Sequence, residues 1–101
     1  MTGGRCKPFF GSGVLFNWTD QGIKSFKDSP SRVDDATKEL EKDDVQIKSI
    51  YWTIGPHDLV AIIKAPSDEK LTSALLKLGA QGNVRTTTLR AFDRDEFAQL
   101  I

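Results

Sequence analysis

His57 is the only histidine of this chain, and it stands beside a carboxylate in the run Ile54-Gly55-Pro56-His57-Asp58. An imidazole changes charge near neutral pH and a carboxylate can orient it, so His57 and Asp58 have the residue types of a general acid–base pair. Neighbouring residues of an extended strand point to opposite faces, so direct contact between the two needs turn geometry. The same residues have a plainer reading, in which Asp58 accepts from backbone amides of its turn and His57 sits half exposed at a strand edge. A second group, Asn17, Trp18, Tyr51 and Trp52, falls on two strands that neighbour or flank one another. Rings with a few polar groups are the usual lining of a small-ligand pocket. They serve equally as core or dimer-interface aromatics. Arg85 and Arg90 offer planar guanidinium groups suited to a carboxylate or phosphate. Strand parity turns these two to opposite sides, which weakens a joint clamp; Arg85 is counted with the candidate ligand set.

Other chemistries lack their residues. Cys6 is the sole cysteine, so no internal disulfide can form and a reducing compartment is expected. One cysteine and one distant histidine make no zinc site, and neither a metal nor a cofactor is expected. Gly11-Ser12-Gly13 lacks the further glycine of a dinucleotide fingerprint, and Gly79, Gly82 and Asn83 follow a helix instead of opening one. The acids between Asp34 and Asp44 are mixed with Lys38 and Lys42, as on a solvated helix face. Fourteen basic and fourteen acidic side chains cancel. That balance argues against a nucleic-acid binder and against electrostatic attachment to membranes. No apolar run approaches the ~18 residues of a membrane span. The apolar part of the start is also too short for a secretory segment of ~7–15 residues. Residues 1–8 read as a loose leader, residues 9–101 as a single domain, and the expected location is the cytoplasm.

The candidate residues are positioned by a strand–helix–strand–strand–helix–strand alternation. Residues 13–18 read as a strand with Val14, Phe16 and Trp18 on one face and Leu15 and Asn17 on the other. Thr19 or Asp20 suits a helix N-cap. The short helix that follows is interrupted near Pro30, which suits a first helical position with Ser29 as its cap. The main helix then runs to about Lys42, with Val33, Ala36 and Leu40 buried. Alternation over residues 45–54 puts Val45, Ile47 and Tyr51 on one face and Ile50, Trp52 and Ile54 on the other. Residues 59–63 are likewise apolar on both sides, and Gly55-Pro56 suits a tight link between these strands. A second helix from Ser67 carries Leu71, Ala74, Leu75 and Leu78, with Gly79 placed to end it in a left-handed conformation. Residues 83–92 form a β-branched strand, and Asp93 with Glu96 caps a short last helix. The pattern is α+β, a ferredoxin-like βαββαβ fold with a four-stranded antiparallel sheet and two helices on one face. The uncovered face is too apolar for a monomer, which implies two sheets packed face to face.

Three ordered segments carry a family likeness. Asn17-Trp18-Thr19-Asp20-Gln21-Gly22-Ile23-Lys24 with Lys27-Asp28-Ser29-Pro30 resembles the N-terminal signature of the GYD-domain family. Gly55, Asp58 and Leu59-Val60-Ala61-Ile62 resemble its central turn. Leu78-Gly79-Ala80-Gln81-Gly82-Asn83-Val84-Arg85-Thr86 and Thr88-Leu89-Arg90-Ala91-Phe92 resemble its C-terminal part. His57 stands where the family's tyrosine is expected. The resemblance implies a dimeric α/β barrel and no settled activity; wider structural relatives include cofactor-independent monooxygenases, ligand-sensing domains and assembly modules.

Three functions follow as expectations. The first is a binding or assembly module, a homodimer or higher oligomer that encloses a small apolar ligand between facing sheets. The second is a cofactor-independent oxygenase- or isomerase-like enzyme using His57 and Asp58. The third is a subunit that regulates another enzyme.

Overall fold

The computed structural model describes residues 9–101. The leader assigned to residues 1–8, Cys6 included, lies outside the described residues. Strand β1 (Phe10–Trp18) leads into α1 (Asp20–Lys24), a 3₁₀ turn (Phe26–Asp28) and α2 (Ser29–Glu41). Strands β2 (Gln46–Trp52) and β3 (Leu59–Ala65) follow, then α3 (Asp68–Ala80), β4 (Val84–Ala91) and α4 (Arg94–Leu100). The sheet order is β2-β3-β1-β4 and every pair is antiparallel, the ferredoxin-like arrangement expected from the pattern.

Local chemistry sets the element ends. The Thr19 side chain accepts from the Gly22 amide at the start of α1, and Ser67 accepts from Lys70 at the start of α3. Asp93 and Glu96 form a reciprocal capping box on α4. Two expected caps differ. Ser29 is the first residue of α2 and not its cap, and its Oγ accepts from Trp52 Nε1 at 3.0 Å. Gly79 stays helical; the left-handed residue of that turn is Gly82, with φ of +86°. The chain needs the reversal after the helix has finished, and glycine meets it without a Cβ penalty.

Helices α2 and α3 cover one face of the sheet. Val14 and Phe16 of β1 and Leu59, Ala61, Ile63 and Ala65 of β3 are buried there, joined by Leu40, Val45, Leu71 and Ala74. Each large apolar side chain in this layer contributes about 1.5–3 kcal/mol through removal from water.

Strand β2 corrects the simple alternation. Its register with β3 shifts between Ile47 and Ser49, so that Ile47, Ile50 and Trp52 lie opposite Ile63, Ala61 and Leu59. All three therefore share the helix-covered side. Ser49 and Tyr51 turn to the open side, beside Ile62 and Val60. One extra residue in a bulge reverses side-chain parity beyond it. Ile54 lies past the strand end and is fully exposed. Strand β2 thus turns Ile47, Ile50 and Trp52 towards the helices and Tyr51 towards the open side. The open face keeps Leu15 and Val60 half-buried, with Ile62, Leu89 and Tyr51 exposed. Among the described residues, no helix is long and apolar enough to cross a membrane.

Candidate functional site

The β2–β3 loop, residues 53–58, is longer than the tight link expected from Gly55-Pro56, and Gly55 takes φ of +130° within it. Thr53 closes it on itself, its amide donating to Asp58 O at 2.8 Å and its hydroxyl to His57 O at 2.6 Å. The loop is then tied to β1. The Asp58 amide donates to Phe16 O at 2.8 Å, and the Trp18 amide donates to the Asp58 carboxylate at 2.8 Å.

This differs from the expectation that Asp58 would accept from its own turn. Regular pairing of β1 with β3 ends at Phe16 and Leu59, which leaves the Trp18 amide without a strand partner on that edge. The Asp58 side chain supplies the missing acceptor, so the carboxylate extends the ladder by one bond. Leaving such an amide unsatisfied costs about 1–3 kcal/mol.

His57 is held separately. Its Nδ1 lies 2.8 Å from Asn17 Oδ1, while Asn17 Nδ2 donates to Pro56 O at 2.7 Å. A carbonyl oxygen only accepts, which fixes the orientation of the Asn17 amide and makes Nδ1 of His57 the donor. In the neutral imidazole, Nε2 is then left as an acceptor. Among the described residues no hydrogen bond joins His57 to Asp58. The two neighbours face different partners, His57 the Asn17 amide and Asp58 the Trp18 backbone amide.

The remaining candidates divide between the faces. Asn17 is paired with Arg85 on β4, so Asn17, Arg85 and the His57 ring share the rim of the open face, with Tyr51 on the same face at the β2 edge. Trp18 and Trp52 belong to the helix-covered side. The aromatic and amide set therefore does not line one pocket. Arg90 is paired with Ser12 on the opposite side from Arg85, as parity predicts, and stacks over Phe92 with its guanidinium carbon 4.3 Å from the ring centroid.

The three segments of the family likeness meet at one end of the sheet. Thr19 bridges from β1 to the turn before β4: its amide donates to Asn83 O at 3.0 Å and its hydroxyl to Gly82 O at 2.5 Å. Gln21 Nε2 donates to Gln81 O at 3.0 Å and to Asn83 Oδ1 at 2.9 Å. Gly22 sits so close that a Cβ there would lie 2.0 Å from Asn83 O. Residues around 17–22, 55–58 and 81–83 thus form one hydrogen-bonded cluster.

Beneath it lies a cavity of about 60 Å³ between the sheet and helices α2 and α3, with Phe16, Trp18, Ile50 and Leu59 in its wall and Arg32 and Asn83 among its polar lining. Arg32 donates through Nη1 to Ser25 O at 2.9 Å and Ser25 Oγ at 3.0 Å, and through Nη2 to Gly22 O at 3.3 Å. Sequence reasoning passed over Arg32. The available signal was its place next to Val33 and one turn before Ala36, which put a lone cation beside the buried stripe of α2. Among the described residues no cluster of His, Cys, Asp and Glu could hold a metal ion.

The fold is similar to that of two crystal structures. MtbAldR superposes with a TM-score of 0.59 at 15% identity, over 82% of this chain and 51% of that one. The Mycobacterium tuberculosis leucine response regulatory protein, LrpA, superposes with a TM-score of 0.55 at 24% identity, over 83% of this chain and 51% of that one. The chain spans about half the length of either structure, and at such identities the likeness is one of fold alone. In sequence, the chain is 34% identical over 79 residues to the "Glutamine synthetase and cystathionine beta-lyase binding protein" of Thermus thermophilus, covering 77% of this chain and 83% of that protein. The GYD domain profile matches residues 14–101. On that match and that relative, the chain belongs to the GYD domain family.

Proposed function

We propose that this protein is a binding module that associates with itself through the open sheet face and docks on metabolic enzymes. The observation that carries the reading is the open face. Leu15, Val60, Ile62, Leu89 and Tyr51 form an apolar surface that nothing in the described chain covers, and contiguous patches of this kind mark interaction sites. The Thermus relative, named for binding two enzymes, supports protein partners of the same kind. In this reading Asn17 and Asp58 hold the loop in shape, while His57, Arg85 and Tyr51 give the rim of the face its polar contacts. Paired faces would also enclose room for a small apolar ligand between them. The reading places the protein in the cytoplasm with its enzyme partners.

Its test is co-migration on size exclusion at micromolar concentration with purified glutamine synthetase and cystathionine β-lyase from the source organism. A complex with either enzyme is expected, lost when Ile62 is replaced by Asp. Independent migration from both would overturn enzyme docking.

A second reading, a cofactor-independent oxygenase- or isomerase-like enzyme, is favoured by one detail. The Asn17 contact leaves His57 Nε2 as a lone-pair acceptor at the rim of the open face. Asp58 would act there only by positioning the loop, since its carboxylate is engaged by the Trp18 amide. Full turnover of an identified substrate by His57→Ala would end this reading.

A further inference from the structure

We infer that the cavity between the sheet and helices α2 and α3 is a binding site for a short aliphatic carboxylate. The site is on the covered side of the sheet and does not rest on the function proposed for the open face.

Two observations point to this ligand, and a third supplies a reporter for it. First, the wall is apolar, with Phe16, Trp18, Ile50 and Leu59 among its residues, and among the described residues Arg32 is the only charged one that lines it. Asp35 and Glu39, the acids one and two turns further along α2, line the outer groove between the helices and not the cavity. Arg32 and Ala36 border both spaces, so the guanidinium stands where the cavity meets the groove. Second, Arg32 is a half-buried cation without a counter-ion. Its three hydrogen bonds all go to neutral oxygens, and among the described residues no carboxylate comes within 4.0 Å of it. Those bonds do not exhaust the N–H donors of the fork, whose planar geometry matches a carboxylate. Third, Trp18 Nε1 is buried without a partner among the described residues, although its ring lines the cavity. The indole N–H itself is sealed from the space, so it reports on occupancy through the ring and does not bind the occupant.

Size limits how much of the occupant is sheltered, since the space opens into the groove beside Arg32. About 60 Å³ exceeds what a single water needs, ~10–15 Å³, and falls well below the ~150 Å³ cavity that admits benzene. A tail of three or so carbons fits, with the carboxylate towards Arg32. Affinity for so small a molecule is on the order of millimolar.

The experiment follows the two indole N–H signals of uniformly ¹⁵N-labelled protein during titration with sodium isobutyrate and, separately, with isobutyramide, its neutral isostere. The chain has two tryptophans, and a Trp52→Phe variant assigns the Trp18 signal. A saturable shift of the Trp18 signal is expected with isobutyrate, and binding of isobutyramide should be roughly tenfold weaker because a charge-assisted bond is lost. Arg32→Gln should bring isobutyrate down to the affinity of isobutyramide. Arg32 also anchors the Ser25 turn, so Ala36→Leu provides a second variant that fills the cavity without touching that anchor, and it should abolish binding of either probe. A linear drift without saturation would overturn the site. Equal affinity for acid and amide would overturn the carboxylate assignment, and undiminished binding by Ala36→Leu would overturn the location.

Discussion

Ile62 and Ile63 are chain neighbours on β3, yet Ile63 is wholly buried beneath α2 and α3 while Ile62 is 39% exposed on the open face. The contrast extends across the sheet. Val14, Phe16, Leu59 and Ala61 are closed over by helices, and Leu15, Leu89 and Tyr51 on the other side are not. Composition alone does not separate these groups, because both faces are built from aliphatic and aromatic residues. What separates them is topology: both crossover helices fall on one side, so the stability of the chain by itself resides there. The apolar area on the other side is the surface that the proposed association would use.

The comparison is broken most severely from the covered side. Ile63→Ala should lower stability to urea by about 2–5 kcal/mol, because the lost side chain leaves a cavity that the surroundings fill poorly. Ile62→Ala should cost below about 1 kcal/mol for the isolated chain, as an exposed truncation does. Similar losses at the two positions would mean that the open face is covered by something within the chain itself.

Next comes the junction that locks the helical layer to the sheet end. Gly22→Ala forces a Cβ to within 2.0 Å of the Asn83 backbone oxygen, where no flexible side chain can yield. About 3 kcal/mol of destabilisation is expected by thermal melting. Stability near wild type would contradict the close packing of α1 on the turn before β4.

The loop offers a smaller effect. Asp58→Ala should cost about 2 kcal/mol, since the Trp18 amide loses its acceptor, whereas Asp58→Asn should recover most of it because an amide oxygen still accepts. His57→Ala should fall below about 1 kcal/mol, its ring being half-exposed and held by one contact to Asn17. Equal losses at positions 57 and 58 would dissolve the division of labour drawn between them.

Much of this was legible in the residues. The strand–helix order, a helix cap at Thr19 or Asp20 and the Asp93–Glu96 box follow from local chemistry, which depends on residues a few positions apart; the structure puts that cap on Thr19. Opposed placement of Arg85 and Arg90 follows from an unbroken alternation in β4. The faces of β2 were not legible, because a bulge near Lys48 leaves no mark in the sequence; Ser49 and its neighbours read as continuous strand. That one residue moved Tyr51 to the open side and Trp52 to the helices, and so divided a candidate pocket. The partner of Asp58 was hidden for another reason. It depends on where β1 stops pairing with β3, a contact across forty positions in the chain. The Arg32 cavity is likewise a product of packing between α2 and the sheet; the local pattern shows a cation beside the buried stripe of α2 but not the space it borders.

The central claim is that the open face is an association surface. Sedimentation velocity of wild type and Ile62→Asp across a micromolar concentration series tests it most directly, with circular dichroism to confirm that both are folded. A dimer or higher oligomer for wild type, and a folded monomer for Ile62→Asp, is the predicted result. A wild-type monomer throughout, or an oligomer that Ile62→Asp leaves intact, would contradict it.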